Sequence, residues 1–393
     1  MKIVFICGSL EDGKDGVGDY TRRLGNKLIE EGCSVGMIAL HDRYVHGGHR
    51  EESEALSIKT LRLSAELSWK TRSPLVSEFI KKVDPDWISL QFVGFAYQRY
   101  GLPFGMGYLL KGITRNRNFH IMFHELWCGM SASVPWKEVV LGKLQYLFVK
   151  VMLASLKPAK VFTNTERYAR RLREIGEKPL LVPVFSNIPL SATETDALWE
   201  DVVAAHHLQS LLTQSESKLV LGFFGSIYPI PGFAALLKDA QQAAETLGRE
   251  CCILLIGNNS KEDLVRLSGH SLCAQVFEMG MQSPGIINRA MDLVDFGVVT
   301  TPIDGMNKSG GAAAWMERGI AILVSGKDLT YEGQDLKVAY DAYRVSYAGD
   351  IMKAYCQKGK GGPRPERLNS VAAMYKEQLI NDKAAYLHAD KQL

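Results

Sequence analysis

The chain has 393 residues, of which 46% are hydrophobic and 23% are charged, and its formal net charge is +3. This length is too great for one ordinary α/β core and sufficient for two. The composition predicts a soluble globular protein, and the net charge is too small to indicate nucleic-acid binding by itself.

The N-terminus and the cysteines predict a cytoplasmic protein. Met1-Lys2 leads directly into a strand-like run, so no signal peptide is expected. The seven cysteines include no C-x-x-C pair, which favours reduced structural thiols. We expect no membrane span, since the nearest apolar run, Tyr146–Leu156, is interrupted by Lys150.

Strands and helices alternate along the first half of the chain. A helix is predicted over Val17–Glu31, where apolar residues recur at helical spacing and Gly32 ends the pattern. The further predicted helices are Leu75–Val83, Phe104–Thr114, about 136–157 and Glu166–Ile175. The predicted strands are Ile3–Cys7, Val35–Leu40, Ile58–Leu63, Trp87–Phe92, His120–His124, Lys160–Thr163 and Leu180–Val184.

The middle of this half is basic. Twelve cations fall between Lys111 and Arg173, against only Glu125, Glu138 and Glu166. Such a segment is compatible with docking on anionic lipid headgroups, and solvated helix faces without a partner are the alternative.

A polar stretch over 186–217, with short helical pieces, separates the first half from a second alternating series. Its predicted strands are Leu219–Phe224, Cys252–Ile256, Gln275–Glu278, Phe296–Thr300 and Ile320–Val324. Its predicted helices are Gly232–Leu247, Glu262–Leu267, Pro284–Leu293, Ala312–Met316 and Glu366–Asp390. Two such series predict two doubly wound, mostly parallel sheets in Rossmann-like α/β domains that face a cleft.

The loop after the first strand is a candidate ligand site. Gly13, Gly16 and Gly18 give G-x-x-G-x-G, which is the wrong order for the dinucleotide motif G-x-G-x-x-G. Asp42, at the end of the second strand, nevertheless mimics a ribose-binding acid, so a nicotinamide or flavin site is one alternative. A plain flexible turn is another. The preferred hypothesis is that the glycines bring the backbone close to a ligand, with Asp15 or Asp19 facing the cleft.

His124 and Glu125 form a second candidate, because they end an apolar strand where α/β sheets bind ligands. A histidine there can bond a substrate hydroxyl, and a neighbouring carboxylate can accept a proton. A buried structural histidine beside a solvated glutamate is the alternative.

The third candidate is the helix start Lys308-Ser309-Gly310-Gly311. Ser309 is a predicted N-cap, and the helix start offers unpaired amides, a positive dipole end and a cation to a phosphate or diphosphate. The preceding residues do not fit the P-loop spacing. Gly225-Ser226, after the first strand of the second half, is a weaker candidate for the same diphosphate. An ordinary serine cap with a surface lysine is the alternative.

A metal site is the least favoured interpretation. His41, His46, His49, Asp42 and Glu51 lie close in sequence, but the segment HDRYVHGGH shows no periodicity that would fix ligand geometry. No metal ligand set is therefore predicted.

Several segments resemble the family 4 type of GT-B glycosyltransferases, which use nucleotide sugars. The first-domain likeness lies in Gly16-Val17-Gly18-Asp19-Tyr20, in the following GCSV and in VFTNTERYARRL. LVPVFSNIP resembles the family's interdomain segment, LVLGFFGS resembles the opening of its donor domain, and the last helix resembles one that crosses back to the first domain. The resemblance implies a GT-B fold and makes His124 the family's cleft histidine, near the donor sugar.

The chain departs from that family around the donor. Ser226 follows Gly225 where the family commonly has an arginine, and the family's E-x7-E pair falls on Met306 and Ala314. Sugar recognition is therefore expected to differ, a retaining mechanism is not inherited, and Lys308 is expected to supply the missing cation.

The resulting prediction is a metal-independent glycosyltransferase that moves a sugar from a UDP- or GDP-sugar to a sugar, lipid-linked or other small-molecule hydroxyl acceptor, in polysaccharide or glycoconjugate biosynthesis. No cofactor is expected. The alternatives are a GT-B-type sugar-nucleotide epimerase and a non-catalytic nucleotide-sugar-binding protein. The predicted boundaries are 1–185 for the acceptor domain, 186–217 for the linker, 218–365 for the donor domain and 366–393 for the crossing helix. Cytoplasmic localisation, with peripheral contact at the inner membrane face, is expected.

Overall fold

A computed structural model describes residues 1–53, 58–130, 135–229, 232–268, 274–301, 303–324, 345–347, 351–352, 355 and 366–389. The chain divides into two compact units. The first comprises Met1–Val184 and Arg367–Leu393, and the second comprises Phe185–Glu366.

The first unit contains an eight-stranded sheet with helices along the chain between its strands. Its strands are β1 (Lys2–Cys7), β2 (Ser34–Asp42), β3 (His49–Ser53), β4 (Lys59–Ser64), β5 (Trp87–Phe92), β6 (Asn118–Phe123), β7 (Lys160–Thr163) and β8 (Leu180–Leu181). Its helices are α1 (Gly16–Glu30), α2 (Trp69–Val83), α3 (Gly94–Tyr97), α4 (Phe104–Thr114), α5 (Trp136–Leu156) and α6 (Glu166–Glu174).

The strand order in this sheet is β3-β4-β2-β1-β5-β6-β7-β8, and among the strand pairs that the structure describes only β3–β4 is antiparallel. The chain winds outward in one direction from β1 to β4 and in the other from β5 to β8. The order therefore reverses between β1 and β5, and the loops beyond the carboxyl ends of these two strands flank the switch point where open α/β sheets bind ligands.

The second unit contains a six-stranded sheet in which every described pair is parallel. Its strands are β9 (Lys218–Phe224), β10 (Glu250–Ile256), β11 (Gln275–Glu278), β12 (Phe296–Val299), β13 (Ala321–Val324) and β14 (Val345–Tyr347). Its helices include α7 (Asp196–Ala205), α8 (Gln209–Thr213), α9 (Phe233–Thr246), α10 (Lys261–Ser268), α11 (Pro284–Met291) and α12 (Gly310–Glu317), with 3-10 turns at Ser215–Ser217 and Ile303–Lys308. The order β11-β10-β9-β12-β13-β14 reverses between β9 and β12.

The segment 186–217 belongs to the core of the second unit. Trp199, Leu208 and Leu211 are buried in the same apolar cluster as residues of β10 and α12. Asn288 of α11 donates to the carbonyls of Pro189 and Ala192 at 2.9 and 2.8 Å. These contacts hold the start of the segment against α11.

The last helix, α13 (Arg367–Ala389), packs on the first unit. Val371, Ala372, Tyr375 and Leu379 are fully buried. The Tyr375 ring lies edge-on to His120 at 5.4 Å, and Lys376 Nζ donates to the Glu31 carbonyl at 3.0 Å. The first sheet is thus covered in part by residues that follow the second unit in sequence.

Two secondary-structure expectations were wrong. The histidine-rich segment after β2 leads into an antiparallel edge strand, β3, because His49–Ser53 pairs along β4. Helix α2 begins at Trp69 rather than Leu75, since Ser68 caps it and Pro74 is accommodated inside it. The β3 error came from local residue types that pairing with β4 overrode, whereas the α2 error came from missing the local Ser68 cap.

The expectation of no membrane span rested on an apolar run that is shorter than the helix containing it. Helix α5 is long and apolar enough to cross a membrane by length and composition, although a third of its most apolar window is buried inside the protein. Lys150 lies within α5, and the run Tyr146–Leu156 considered from the sequence is only the second half of this helix.

Candidate functional site

The carboxyl edge of the first sheet brings together the glycine loop, the start of α1 and His124. Asp15 is the N-cap of α1, and its Oδ1 accepts from the amides of Val17 and Gly18 at 3.0 and 2.7 Å. Burial raises the pKa of Asp15 despite these two bonds. Asp15 was predicted as a catalytic residue, and capping α1 uses one of its two carboxylate oxygens.

Asp19 lies in the first turn of α1 and is half-buried. Its Oδ1 accepts from the Gly13 amide at 3.0 Å, which closes the glycine loop over the helix start. Burial raises the pKa of Asp19 to about 6, against the opposing effect of the Gly13 hydrogen bond. A carboxylate with such a pKa can accept a proton near neutral pH, which makes Asp19 the stronger of the two predicted bases.

Gly18 has a packing reason that needs no ligand. A Cβ on Gly18 would come to 2.4 Å from the Ser9 carbonyl oxygen, so the first turn of α1 can approach the loop only with glycine there. Gly16 is the first residue of α1.

Asp42 is committed to the same loop. It is fully buried, and its carboxylate accepts from Ser9 Oγ (3.1 Å), the Leu10 and Tyr44 amides (3.2 and 3.0 Å) and Arg62 Nε (2.8 Å). Burial by itself would raise the pKa of Asp42, but these donors, Arg62 foremost, lower it below its ordinary value. Both carboxylate oxygens of Asp42 therefore bond within the fold. The acidic residue at the end of β2, which resembled a ribose-binding acid in the sequence, has this structural role instead.

His124 follows β6 and is buried in a chain of side-chain hydrogen bonds. Its Nε2 lies 2.9 Å from Gln91 Oε1, Gln91 Nε2 donates to Ser89 Oγ at 2.9 Å, and Ser89 Oγ lies 2.8 Å from His120 Nδ1. Because the Gln91 amide donates to Ser89, its oxygen is the acceptor, and the His124 proton sits on Nε2.

Burial lowers the pKa of His124 to about 3, so its imidazole is neutral at physiological pH. Tyr20, the neighbour of Asp19 on α1, packs its ring edge-on against His124 at 4.9 Å. The Asn164 side chain donates to the His124 carbonyl at 3.3 Å. Glu125 is half-buried, and its amide bonds to the Phe92 carbonyl at 3.4 Å. Gln91 and Asn164 were not singled out as site residues from the sequence, because no motif marks residues that support another side chain. Tyr20 was named there only as part of the motif at the start of α1.

The histidine-rich segment does not assemble a metal site. His41 Nδ1 lies 3.2 Å from Arg72 Nη2, whereas His46 Nδ1 faces Glu66 at 3.6 Å and Glu51 faces Lys82 at 3.6 Å. Across the part of the chain that the structure describes, no group of three or more histidine, cysteine, aspartate or glutamate residues could hold a metal ion.

The carboxyl edge of the second sheet brings the start of α12 against the end of β9. A Cβ on Gly311 would lie 3.2 Å from the Phe224 carbonyl oxygen, so glycine allows this close approach. Gly225 follows Phe224 with φ of +80°, a left-handed conformation that favours glycine. The two predicted phosphate-binding elements therefore meet at the switch point between β9 and β12.

Ser309 caps α12 as predicted from the sequence. Its Oγ accepts from the Ala312 amide at 3.2 Å and from Thr301 Oγ1 at 3.3 Å. The amides of Gly310 and Gly311 lie in the first turn of α12, where the helix offers no carbonyl partner to an amide. Helix geometry therefore leaves them available to an anion. Lys308 ends the 3-10 turn just before the cap and is half-buried.

Asn259 fixes the loop after β9, and it was not identified from the sequence. Its Nδ2 donates to the carbonyls of Gly225 and Ile256 at 2.7 and 3.1 Å. Ser226 follows in the same loop, and the Tyr228 amide donates to Thr300 Oγ1 at 3.1 Å, which ties the loop to the end of β12. An asparagine beyond a neighbouring strand carries no signal in sequence until the sheet order is known.

The two α/β units, with a last helix that returns to the first unit, define the GT-B fold. No protein-family model matches the chain, and no curated protein matches it. Solved structures do match over nearly the whole length.

The chain is similar to the α,α-trehalose 6-phosphate synthase of Burkholderia multivorans, with a TM-score of 0.58 and 11% identity over 99% of this chain and 98% of that one. It is similar to Anabaena HepE in complex with UDP-glucose, with a TM-score of 0.51 and 12% identity over 100% of both chains. It is also similar to a putative UDP-N-acetylglucosamine 2-epimerase from Listeria monocytogenes, with a TM-score of 0.50 and 12% identity over 97% of both. At such identities the likeness shows the fold, and the GT-B fold prediction is confirmed.

Proposed function

We propose that the protein is a glycosyltransferase that moves a sugar from a nucleoside-diphosphate sugar, UDP- or GDP-linked, to a hydroxyl acceptor. The main observation behind the proposal is that the N-terminus of α12 lies against the Phe224–Gly225 turn, at the switch point between β9 and β12. Anabaena HepE binds UDP-glucose on the same fold, which supports a nucleotide-sugar ligand. The acceptor is a sugar, a lipid-linked sugar or another small hydroxyl compound, in polysaccharide or glycoconjugate assembly.

The proposed role of the second unit is to stabilise the leaving group. Breaking the bond between the sugar and the phosphate leaves a nucleoside diphosphate, on which negative charge grows in the transition state. The amides of Gly310 and Gly311, the positive end of the α12 dipole and Lys308 would all lower the energy of that charge. We therefore propose that transfer needs no metal, and expect activity to survive chelation by EDTA.

The proposed role of the first unit is to supply a base and to orient the sugar. Asp19, with its pKa raised to about 6, accepts the proton of the acceptor hydroxyl in an inverting reaction. His124 is neutral, with its proton held on Nε2 by Gln91, so it takes part through hydrogen bonding rather than as a cation.

The sugar end of the donor pocket is proposed to differ from that of the family it resembles. Met306 and Ala314, which occupy the positions of the family's glutamate pair, are buried in the apolar core of the second unit. They offer no carboxylate to ribose or to sugar hydroxyls. The second hypothesis is a sugar-nucleotide epimerase, which the likeness to the Listeria epimerase supports. The third is a non-catalytic nucleotide-sugar-binding protein, because the glutamate pair is absent.

Thermal denaturation with UDP, GDP, ADP, CMP and NAD tests the ligand class. We expect one nucleoside diphosphate to raise the melting temperature of the protein, and stabilisation by NAD alone would contradict the proposal. Incubation of matching sugar nucleotides with and without a mixed panel of hydroxyl acceptors then separates the three hypotheses. A transferase releases nucleoside diphosphate when acceptor is added, an epimerase changes the sugar without an acceptor, and a binding protein does neither.

A further inference from the structure

Helices α4 and α5 expose an apolar surface on the first unit. Of the seventeen large hydrophobic side chains that are exposed among the described residues, seven lie on these two helices. They form what we call the α4–α5 face, made of Phe104, Tyr108, Trp136, Val140, Leu144, Leu147 and Val151. Phe104, Tyr108 and Trp136 are 73%, 83% and 71% exposed, so the face is not the rim of a core.

The spacing of these residues makes the face continuous. On α5 they recur at intervals of four, four, three and four residues, which places them on one side of the helix. On α4, Phe104 and Tyr108 are four residues apart. The rings of Phe104 and Phe148 pack edge-on at 5.7 Å, which joins the two helices.

The opposite side of each helix is fixed in the first unit. Helix α5 buries Val149, Met152 and Leu153, and Gln145 Nε2 donates to the Tyr100 carbonyl at 2.7 Å. The Cys128 amide donates to Gln145 Oε1 at 2.9 Å. Because α5 is held in this way along its length, its apolar composition is better explained by a helix that lies on a bilayer than by one that crosses it.

The charges around the face select the partner. Lys111 and Arg115 on and after α4, and Lys137, Lys143 and Lys150 on α5, are all exposed. Glu138 is the single acidic residue of the two helices. At 100° per residue, Lys143 and Lys150 flank the apolar stripe of α5 on one side. An apolar stripe with aromatic residues and flanking cations is the pattern of an interfacial helix on an anionic membrane.

A second copy of the chain fits the face less well. In a two-fold symmetric dimer the same patch meets itself, so five cations of one subunit would approach five of the other. Lysine is also depleted in the buried centres of protein interfaces.

We propose that the α4–α5 face docks on an anionic phospholipid bilayer, with its apolar side chains in the boundary between headgroups and acyl chains and its cations on lipid phosphates. This surface is independent of the transfer chemistry, so the membrane proposal and the proposed function can fail separately.

Co-sedimentation of the full chain with vesicles tests the proposal. Vesicles of phosphatidylcholine are compared with vesicles of phosphatidylcholine and phosphatidylglycerol in a 7:3 ratio. We expect binding to the anionic vesicles, weakened by salt and by the pair Lys143→Glu and Lys150→Glu. We expect the pair Leu144→Ser and Leu147→Ser, which are 51% and 56% exposed in the protein, to weaken binding about tenfold or more.

The matched control is the pair Leu198→Ser and Leu212→Ser in the second unit, where the leucines are 41% and 42% exposed. This control should bind vesicles as the unaltered protein does, and all three variants should keep their melting temperatures. Failure of the unaltered protein to sediment with anionic vesicles would overturn the proposal. Equal vesicle binding by the Leu144/Leu147 variant and the unaltered protein would also overturn it. So would an unaltered protein that binds no vesicles and instead forms, by sedimentation velocity, a dimer that the Leu144/Leu147 variant dissociates.

Discussion

At the carboxyl edge of the first sheet the polar groups are buried side chains that bond to one another, whereas at the same edge of the second sheet they are backbone amides beside glycine. His124, Gln91, Ser89 and His120 form an open chain of three hydrogen bonds in the first unit, which ends at His120, whose buried Nε2 has no hydrogen-bond partner among the described residues. The α12 start in the second unit presents Gly310 and Gly311, whose amides have no intrahelical acceptor. The first edge is thus made of side chains that fix one another, whereas the second offers backbone donors. Under the proposed function, the first edge supplies the base and the second binds the diphosphate.

The largest expected effect is on turnover, and it tests the carboxyl edge of the first sheet. Replacing Asp19 by Asn removes the proposed base and should lower turnover by about 10²- to 10⁴-fold, while affinity for the nucleoside diphosphate stays unchanged. In the unaltered protein, kcat/KM should fall as the pH drops through about 6, because the Asp19 carboxylate becomes protonated. Steady-state kinetics between pH 5 and 8 measures both effects. A variant with unchanged turnover would exclude Asp19 as the base.

Substitutions at the two neighbouring glycines Gly310 and Gly311 test the carboxyl edge of the second sheet. Gly311→Val should lower both the stability of the protein and its affinity for the diphosphate, because a Cβ there already lies 3.2 Å from the Phe224 carbonyl oxygen. Overpacking of this kind costs about 1–3 kcal/mol. Gly310→Ala is the control, since a Cβ at Gly310 meets no atom within 4 Å.

Chemical denaturation and calorimetric titration measure the two quantities for both glycine variants. Gly310→Ala should leave the free energy of unfolding unchanged or slightly raised. Equal behaviour of the two variants would show that α12 does not pack against β9 as described.

The buried histidines predict a pH dependence of stability. Burial lowers the folded-state pKa of both His124 and His120 to about 3. A depressed histidine pKa means that the folded state excludes the proton, so this contribution to stability is complete above about pH 6.5 and is lost as the pH falls. Each histidine should remove about 1.4 kcal/mol per pH unit between about 6.5 and 3.

Asp19 acts in the opposite direction over part of that range, because its raised pKa favours proton binding by the folded state between about pH 6 and 4. Denaturant unfolding of the unaltered protein and of His124→Gln, at pH 7, 6 and 5, measures the difference. The variant should lose less stability on acidification, and parallel curves would contradict a buried neutral His124.

The sequence predicted most of the fold because apolar runs and helix periods are local signals. β5, α4, β7 and β11 have the predicted bounds, and Ser309 caps α12 as expected. The edge strand β3 was not predicted, since its residues become a strand only through pairing with β4. The helix start at Lys308–Gly311 could be located from Ser309 and its glycines, whereas its approach to Phe224 depends on strand order.

The supporting side chains could not be predicted in the same way. Gln91, Asn164 and Asn259 act through partners that lie 33, 40 and 34 positions away in sequence. Asp42 was taken as a possible ribose ligand, and only the folded chain shows that Arg62 and the loop after β1 use its carboxylate. Sequence patterns located the helix starts and the side chains next to strand ends, such as Asp19 and His124. They missed the residues that act by holding another residue in place.

Calorimetric titration of Lys308→Ala tests the diphosphate site most directly. With the nucleoside diphosphate that stabilises the unaltered protein, we expect Lys308→Ala to weaken binding by about 1.5–3 kcal/mol, as for the loss of a hydrogen bond to a charged group. Lys238→Ala, which removes an exposed lysine from the middle of α9, should bind with unaltered affinity. Equal affinities for the two variants would contradict the assignment of the diphosphate to the start of α12.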